Sequence, residues 1–296
     1  MPRLNAVSQK AIGRLRAYKP PPTSYDLVPL SRRAAVLVLL YANAKGDLRV
    51  VLTIRASTLS SYAGQAALPG GKSDSLSETP LQTARREAHE EIGLPGENYP
   101  LPPPFTVEHL CEIPCSLART ELVVRPVVAL LHSFDEKTGQ NADPERELIP
   151  RLDAREVAAV FTAKFADFLK LKLNRKGEED EEIDEGWYEG GWTKWYNTDW
   201  RMHQFHVPTP STSVTKPHPK NPQQEEAERH LREKETQTEN EGGVSRYTVW
   251  GMTARILVDV ARIAYDAEPE FEHNTHSGDE ELITRLRGMG RLEAKI

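Results

Sequence analysis

Cysteine is nearly absent from this chain. Only Cys111 and Cys115 occur in 296 residues, too few for a disulfide framework, which points to an intracellular, reducing setting. No further Cys or His stands beside them at zinc-ligand spacing, so two ordinary, partly buried thiols are expected. Long apolar runs are also missing. The longest, residues 34–40 and 122–131, have the length of strands and fall short of the roughly 20 residues that cross a bilayer, which argues against a membrane span. A basic stripe is the third absence. The chain has 38 Lys and Arg against 44 Asp and Glu, a formal charge of −6, and its cations are scattered. That excludes the electrostatic footprint of a long nucleic acid and leaves a small molecule as the expected partner. Apolar residues make up 38%, enough for a proper core.

The text then divides. Arg3, Lys10, Arg14, Arg16 and Lys19 precede the first acid, Asp26, and Leu4, Val7, Ala11, Leu15 and Tyr18 recur at helical spacing. Both a mitochondrial presequence and an amphipathic first helix ended by Pro20, Pro21 and Pro22 fit this pattern, and the helix is preferred. Residues 34–41 and 48–55 read as a hairpin closed over 43–47. A Gly-rich loop, one well-bounded helix and strands at 107–113, 122–131 and 157–162 follow, which makes a mixed α/β domain. Between about 171 and 243 the composition becomes acidic, then rich in Trp187, Trp192, Trp195 and Trp200, then rich in Pro, Ser and charge. This reads as an insertion. Residues 202–207 alternate like one strand, and 208–224 bury too little to order themselves, so a mobile loop is expected there. The Trp residues could stack on a purine, but packing is the commoner use of such residues. Order resumes at 246–250 and in an apolar-periodic helix over 253–265. The organisation is thus a helix and Pro-rich lead (1–30), a main domain (31–266) and a polar tail (267–296) with a short helix near 280–286.

Residues 68–94 carry the chemistry. Thr79 suits an N-cap, Pro80 the first helical position, and Gln82 completes a capping box, while Gly93 can end the helix in the left-handed conformation. At 100° per residue Leu81, Ala84, Ala88 and Ile92 form one apolar stripe, and Glu87, Glu90 and Glu91 crowd another side. Like charges three and four residues apart, near a C-terminus where the helix dipole is already negative, each destabilise the helix by a few tenths of a kcal/mol. No Lys or Arg lies within their arc, and Arg86 points away from it. A solvated acidic face and a site for a hard divalent cation are both open readings. The preceding Gly70 and Gly71 allow close backbone approach, a carbonyl there could ligate metal, and Glu78 adds a further carboxylate.

Taken in order, Gly71, Glu78, Arg86, Glu87, Ala88, Glu90, Glu91, Gly93 and Leu94 resemble the Nudix box. Six residues separate Gly71 from Glu78, one more than the general box has, which is similar to the coenzyme A diphosphatase branch. Residues 52–71, 112–131 and 250–265 also resemble that branch, so the likeness spans most of 34–265. Tyr62, Leu68 and Ser77 depart from its usual His, Phe and Asp. The resemblance implies a Nudix-type α/β/α sandwich with a mixed sheet and a long, partly disordered insertion. It also implies Mg²⁺ or Mn²⁺ as cofactor, held by Glu87, Glu91, Glu90 and the Gly71 carbonyl.

Further roles follow from the same resemblance. Glu90 shares an ion or activates water, Arg86 orients Glu87 or Glu90, and Glu156 is a candidate base beyond the helix. Arg55, with the Gly70 and Gly71 backbone, is a candidate to hold a substrate phosphate. The implied activity is metal-dependent hydrolysis of the diphosphate in coenzyme A or its derivatives. Hydrolysis of oxidised nucleotides or other nucleoside diphosphate derivatives, and a non-catalytic nucleotide-binding module, are the alternatives. Ala294-Lys295-Ile296 resembles a relaxed peroxisomal signal, so a peroxisome is the expected location, otherwise the cytoplasm or mitochondrion. Oligomeric state is not legible.

Overall fold

A computed structural model describes residues 4–55, 65–96, 100–142, 144–148, 157–176, 181–208, 214–215 and 246–294. The hairpin forms as read, from β1 (Arg33–Ala42) and β2 (Leu48–Arg55), with Leu40 opposite Val50. Past that register β1 parts from β2, and the gap is filled by β3 (Ala66–Ala67) on β2 and β4 (Gly70–Lys72) on β1. After α2 (Pro80–Ile92) come β5 (Thr106–Glu112), β6 (Val123–His132) and β7 (Val157–Lys164). The sheet runs β7-β2-β1-β6-β5, with β1 and β6 parallel and the other neighbours antiparallel. It is a mixed sheet.

Both of its faces are covered, which is why β1 and β6 read as nearly unbroken apolar runs. On β1 the two-residue period sends Ala35, Leu37, Leu39 and Tyr41 toward Ala84, Ala88 and Ile92 of α2. Val38 and Leu40 point the other way. There they meet α1 (Ala6–Ala17) and α3 (Gly251–Tyr265) through Ala11, Ile12 and Leu15 and through Ala254, Leu257, Val258 and Ala261. The N-terminal segment is therefore a helix of this body. One detail of its stripe is corrected: Val7 is exposed and Ile12 is buried in its stead, because the buried face, carried by Ser8, Ala11 and Leu15, reaches Ile12 and leaves Val7 outside its arc.

Residues 181–208 of the expected insertion contain regular structure. β8 (Tyr188–Trp195) and β9 (Thr198–Pro208) form a hairpin that β10 (Arg246–Trp250) extends. The strand expected over 202–207 is part of β9. Trp187 is buried among Phe168 and Phe205, and Trp200 is buried too; both pack. The segment expected as a mobile loop, 208–224, is described only at Pro208 and residues 214–215, and Lys295 and Ile296 also lie outside the described residues. Among the described residues no helix is long and apolar enough to cross a membrane.

The residues after Asp266 turn back onto the sheet. A buried relay runs from the Tyr188 hydroxyl to His203 Nδ1 (2.9 Å), from His203 Nε2 to His273 Nδ1 (2.8 Å), and from His273 Nε2 to Asp259 (2.9 Å). Every atom is satisfied when each group donates toward the Asp259 carboxylate, which also accepts from the Gly278 amide. Burial, then the positive charges nearby, push the His203 pKa down to about 3. Beside the relay, Arg255 and Asp279 form a buried ion pair, and Asp279 also accepts from the Leu117 amide. Helix α4 (Glu280–Gly288) then seats Leu282, Ile283 and Leu286 against Tyr25, Val28, Cys115 and Leu117. Cys111 and Cys115 are free, and burial pushes both thiols up to about 12, so they are inert.

Candidate active site

The end of β3, strand β4 and helix α2 build the site. The Pro69 carbonyl accepts from the Leu37 amide (2.7 Å), and the Gly70 amide donates to Glu91 (3.1 Å). Gly70 has φ +154°, and a side chain there would run into the Ala35 carbonyl and the Val36 backbone. Gly71 serves differently: a Cβ on it would meet the Glu87 carboxylate oxygens at 2.5 Å. Two adjacent glycines thus allow two separate approaches, backbone to backbone and backbone to carboxylate.

Helix α2 has the caps its sequence specifies. Thr79 and Gln82 close the capping box, Pro80 opens the helix, and Gly93 ends it at φ 67°. Glu91 is buried, 3% exposed, and its neighbours are the Gly70 amide and Arg55, whose Nη1 is 3.9 Å away. Glu87 and Glu78 are mostly buried, while Glu90 is half exposed.

Arg86 departs from its expected position and lies inside the carboxylate cluster. Its Nε donates to Glu78 (2.9 Å), its Nη1 to Glu87 (2.9 Å), and its Nη2 to the Lys72 carbonyl (2.8 Å). Glu90 is 3.6 Å from the same guanidinium and Asp74 3.3 Å. The helical wheel missed this because Arg86 reaches along its own length to a carboxylate that the loop before the helix brings in. The like-charge repulsion read from the sequence is therefore partly offset within the protein. Burial would raise the Glu78 carboxyl, but hydrogen bonds from Arg86 and the Asp74 amide hold it below the usual carboxylate range. Burial likewise opposes the charge on Arg86, and Glu78 and Glu87 more than restore it.

Five carboxylates, Asp74, Glu78, Glu87, Glu90 and Glu91, stand against two guanidinium groups, Arg86 and Arg55. The surplus is negative and composed wholly of hard oxygen donors, the chemistry that Mg²⁺ or Mn²⁺ accepts. The Gly71 cradle, which a Cβ would fill, leaves the Glu87 carboxylate directly against the backbone. Among the described residues no three His, Cys, Asp or Glu side chains are gathered into a complete metal-binding group. An ion held here would take other ligands from water and substrate phosphate, as Mg²⁺ ordinarily does. The donor set fits on those terms.

Of the sequence-derived candidates, the structure brings together Gly70, Gly71, Arg86, Glu87, Glu90, Glu91 and Arg55. The Arg55 Nε is buried without a hydrogen-bond partner. Glu156 lies outside the described residues. Ser73, Thr83 and Tyr25 were not singled out from sequence, although their hydroxyls run to this cluster. Isolated hydroxyl residues in a loop, a helix and a distant turn carry no common signal.

Comparison with known proteins places this architecture. The model of the NUDIX domain matches residues 31–183. Peroxisomal coenzyme A diphosphatase 1 of Saccharomyces cerevisiae is 30% identical over 291 residues, covering 94% of this chain and 82% of that protein. Nudix hydrolase 22 of Arabidopsis thaliana is 32% identical over 240 residues, 81% of this chain and 58% of that longer protein. Among solved structures, a Nudix hydrolase from M. smegmatis matches at 33% identity over 34% of this chain and 64% of that one, with a TM-score of 0.24. The chain belongs to the Nudix hydrolase family. It is a Nudix diphosphatase, a hydrolase acting on phosphorus-containing acid anhydrides.

Proposed function

We propose that this enzyme hydrolyses the diphosphate of coenzyme A or its derivatives, giving 4′-phosphopantetheine and adenosine 3′,5′-bisphosphate. The observation that carries this reading is the 30% identity to the yeast coenzyme A diphosphatase, which covers 94% of the chain. Glu87, Glu91 and Glu90, with the Gly71 carbonyl, would hold Mg²⁺ or Mn²⁺, which supplies charge neutralisation of the diphosphate and a bound water of lowered pKa. The remaining work falls to the protein. The Gly70 amide and Arg55 aim the buried Glu91 carboxylate. Arg86 fixes Glu87 against Gly71, with Glu78 as its counterweight.

Glu90 is half exposed, which suits a group that orients or deprotonates water. Glu156 is the candidate base from outside the helix. The partly exposed Arg55 guanidinium is a donor group suited to a phosphate oxygen. Peroxisomal residence is proposed from the yeast relative's name.

Purified protein incubated with Mg²⁺ or Mn²⁺ and coenzyme A should release both products, separable by chromatography. No release from coenzyme A alongside good cleavage of an oxidised nucleotide or ADP-ribose would move the assignment to a nucleotide pyrophosphatase. Binding of these compounds without any turnover would leave a non-catalytic module.

A further inference from the structure

The Tyr25 hydroxyl is remote from the carboxylates in sequence but joined to them in space. Tyr25 is 2% exposed, and its hydroxyl lies 2.9 Å from Ser73 Oγ, which lies 3.0 Å from Thr83 Oγ1. Ser73 and Thr83 are buried as well. The residue after Ser73, Asp74, donates its amide to Glu78 (2.8 Å), and Glu78 also accepts from Arg86 (2.9 Å). The three buried hydroxyls of Tyr25, Ser73 and Thr83 thus form one run whose middle member directly precedes the amide that grips Glu78. Such a run of hydrogen bonds in a low-dielectric interior reinforces itself.

The far end of the chain is anchored too. The Ser24 amide donates to Glu280, the Ser24 hydroxyl meets Thr284, both on α4, and the Arg33 guanidinium lies over the Tyr25 ring at 5.6 Å. Ser73 itself is tied by its amide to the Arg33 carbonyl (3.1 Å). A phenol held this rigidly, with no contact to the place a substrate would take, has one use that the geometry supports.

We propose that Tyr25 is a positioning residue for the diphosphatase reaction: through Ser73 and Thr83 it fixes the loop over 73–79, so that Glu78 holds Arg86 and Arg86 holds Glu87. The turn after the first helix and the C-terminal helix thereby become part of the machinery that aims the site.

The kinetic arm of the test rests on the coenzyme A reading, and the structural arm does not. In the full chain with Mg²⁺ and coenzyme A, Tyr25→Phe, which removes only the hydroxyl, should lower kcat roughly three- to tenfold, the weight of one buried hydrogen bond. KM should stay within about twofold of the native value, since no substrate contact is lost. Thr83→Val should do the same, and the double variant should be no worse than the single ones, because both cut one chain. Amide exchange by mass spectrometry should quicken over 72–79 in Tyr25→Phe and stay unchanged in β5 and α3. Leu15→Ala, which opens a cavity in the apolar cluster on the other face of the sheet, away from Tyr25, should lower Tm and leave kcat alone. A Tyr25→Phe enzyme with native kcat and a native exchange rate over 72–79, or one whose losses multiply with those of Thr83→Val, would overturn the proposal. If the native protein cleaves no diphosphate, the functional reading falls, and the exchange measurement alone decides on Tyr25.

Discussion

The Glu87 carboxylate occupies the space that a side chain on Gly71 would need: a Cβ there would stand 2.5 Å from both of its oxygens. The neighbouring Gly70 is closed off by backbone, with Val36 Cγ1 at 2.8 Å behind it. The two glycines should therefore fail in different ways. Gly71→Ala can be met by swinging one carboxylate aside, so Tm should change by no more than a few degrees while turnover collapses. Gly70→Ala forces strand β4 off β1 and should lower Tm markedly. Thermal unfolding and turnover measured together check this, and an active, stable Gly71→Ala enzyme would refute the cradle.

Glu87→Gln and Glu91→Gln keep size and hydrogen-bonding shape but remove charge. Each should cut turnover by at least about a hundredfold, beyond the usual cost of losing an outer partner of a metal site. The circular dichroism spectrum should be native. Glu90→Gln should cost less binding of Mn²⁺, measured by calorimetry, because Glu90 is the most exposed of the three. Equal manganese affinity in all three variants and the native protein would remove these carboxylates from the ligand set.

His203 sets an acid limit on stability. Its folded pKa, about 3, lies below the unfolded value of about 6.5. A depressed pKa means that the stabilisation is fully present above the unfolded value and is lost as pH falls from there toward the folded one. Over that window the slope approaches about 1.4 kcal/mol per pH unit. Denaturant unfolding should thus weaken from just below pH 6.5, before the carboxylates titrate. His203→Phe should flatten the curve between pH 6 and 4, whatever it does at pH 7; an unchanged slope would show that the relay accepts a proton freely.

Arg255 and Asp279 are paired with both side chains nearly inaccessible, 1% and 4% exposed. Removing one partner by Asp279→Ala strands the other in the core, a loss of about 3–5 kcal/mol. The exposed pair Arg14–Asp266, at 3.3 Å, should yield no more than about 1 kcal/mol on Asp266→Ala. Chemical denaturation distinguishes the two, and similar losses would mean that the C-terminal segment is not held by the buried pair.

The path from Gly70 to Gly93 was legible in the chain because its information is local. Caps, the apolar stripe and the Gly pair act over distances of three or four residues, so Thr79, Pro80, Gln82 and Gly93 marked α2 without reference to any other part of the molecule. The same holds for the β1–β2 hairpin. Arg86 shows where that reading stopped: a helical wheel places its Cα away from the acids, but the side chain turns to Glu78, and only the folded loop brings Glu78 there. The segment after Asp266 stopped it in another way, since its polar text gives no hint that Asp279 and His273 find buried partners on α3.

The sequence by itself determined the local elements and the residue types of the acidic cluster, because helix boundaries, strand periods and box spacing are written in neighbouring residues. Tertiary structure alone decided which charges offset one another, and that hydroxyls from a turn, a loop and a helix line up beside the residue whose amide grips Glu78. Arg86 and Glu78 stand 8 positions apart, Ser73 and Thr83 10, and Tyr25 and Ser73 48, and the energies of such contacts exist only once burial has lowered the dielectric and excluded water around them.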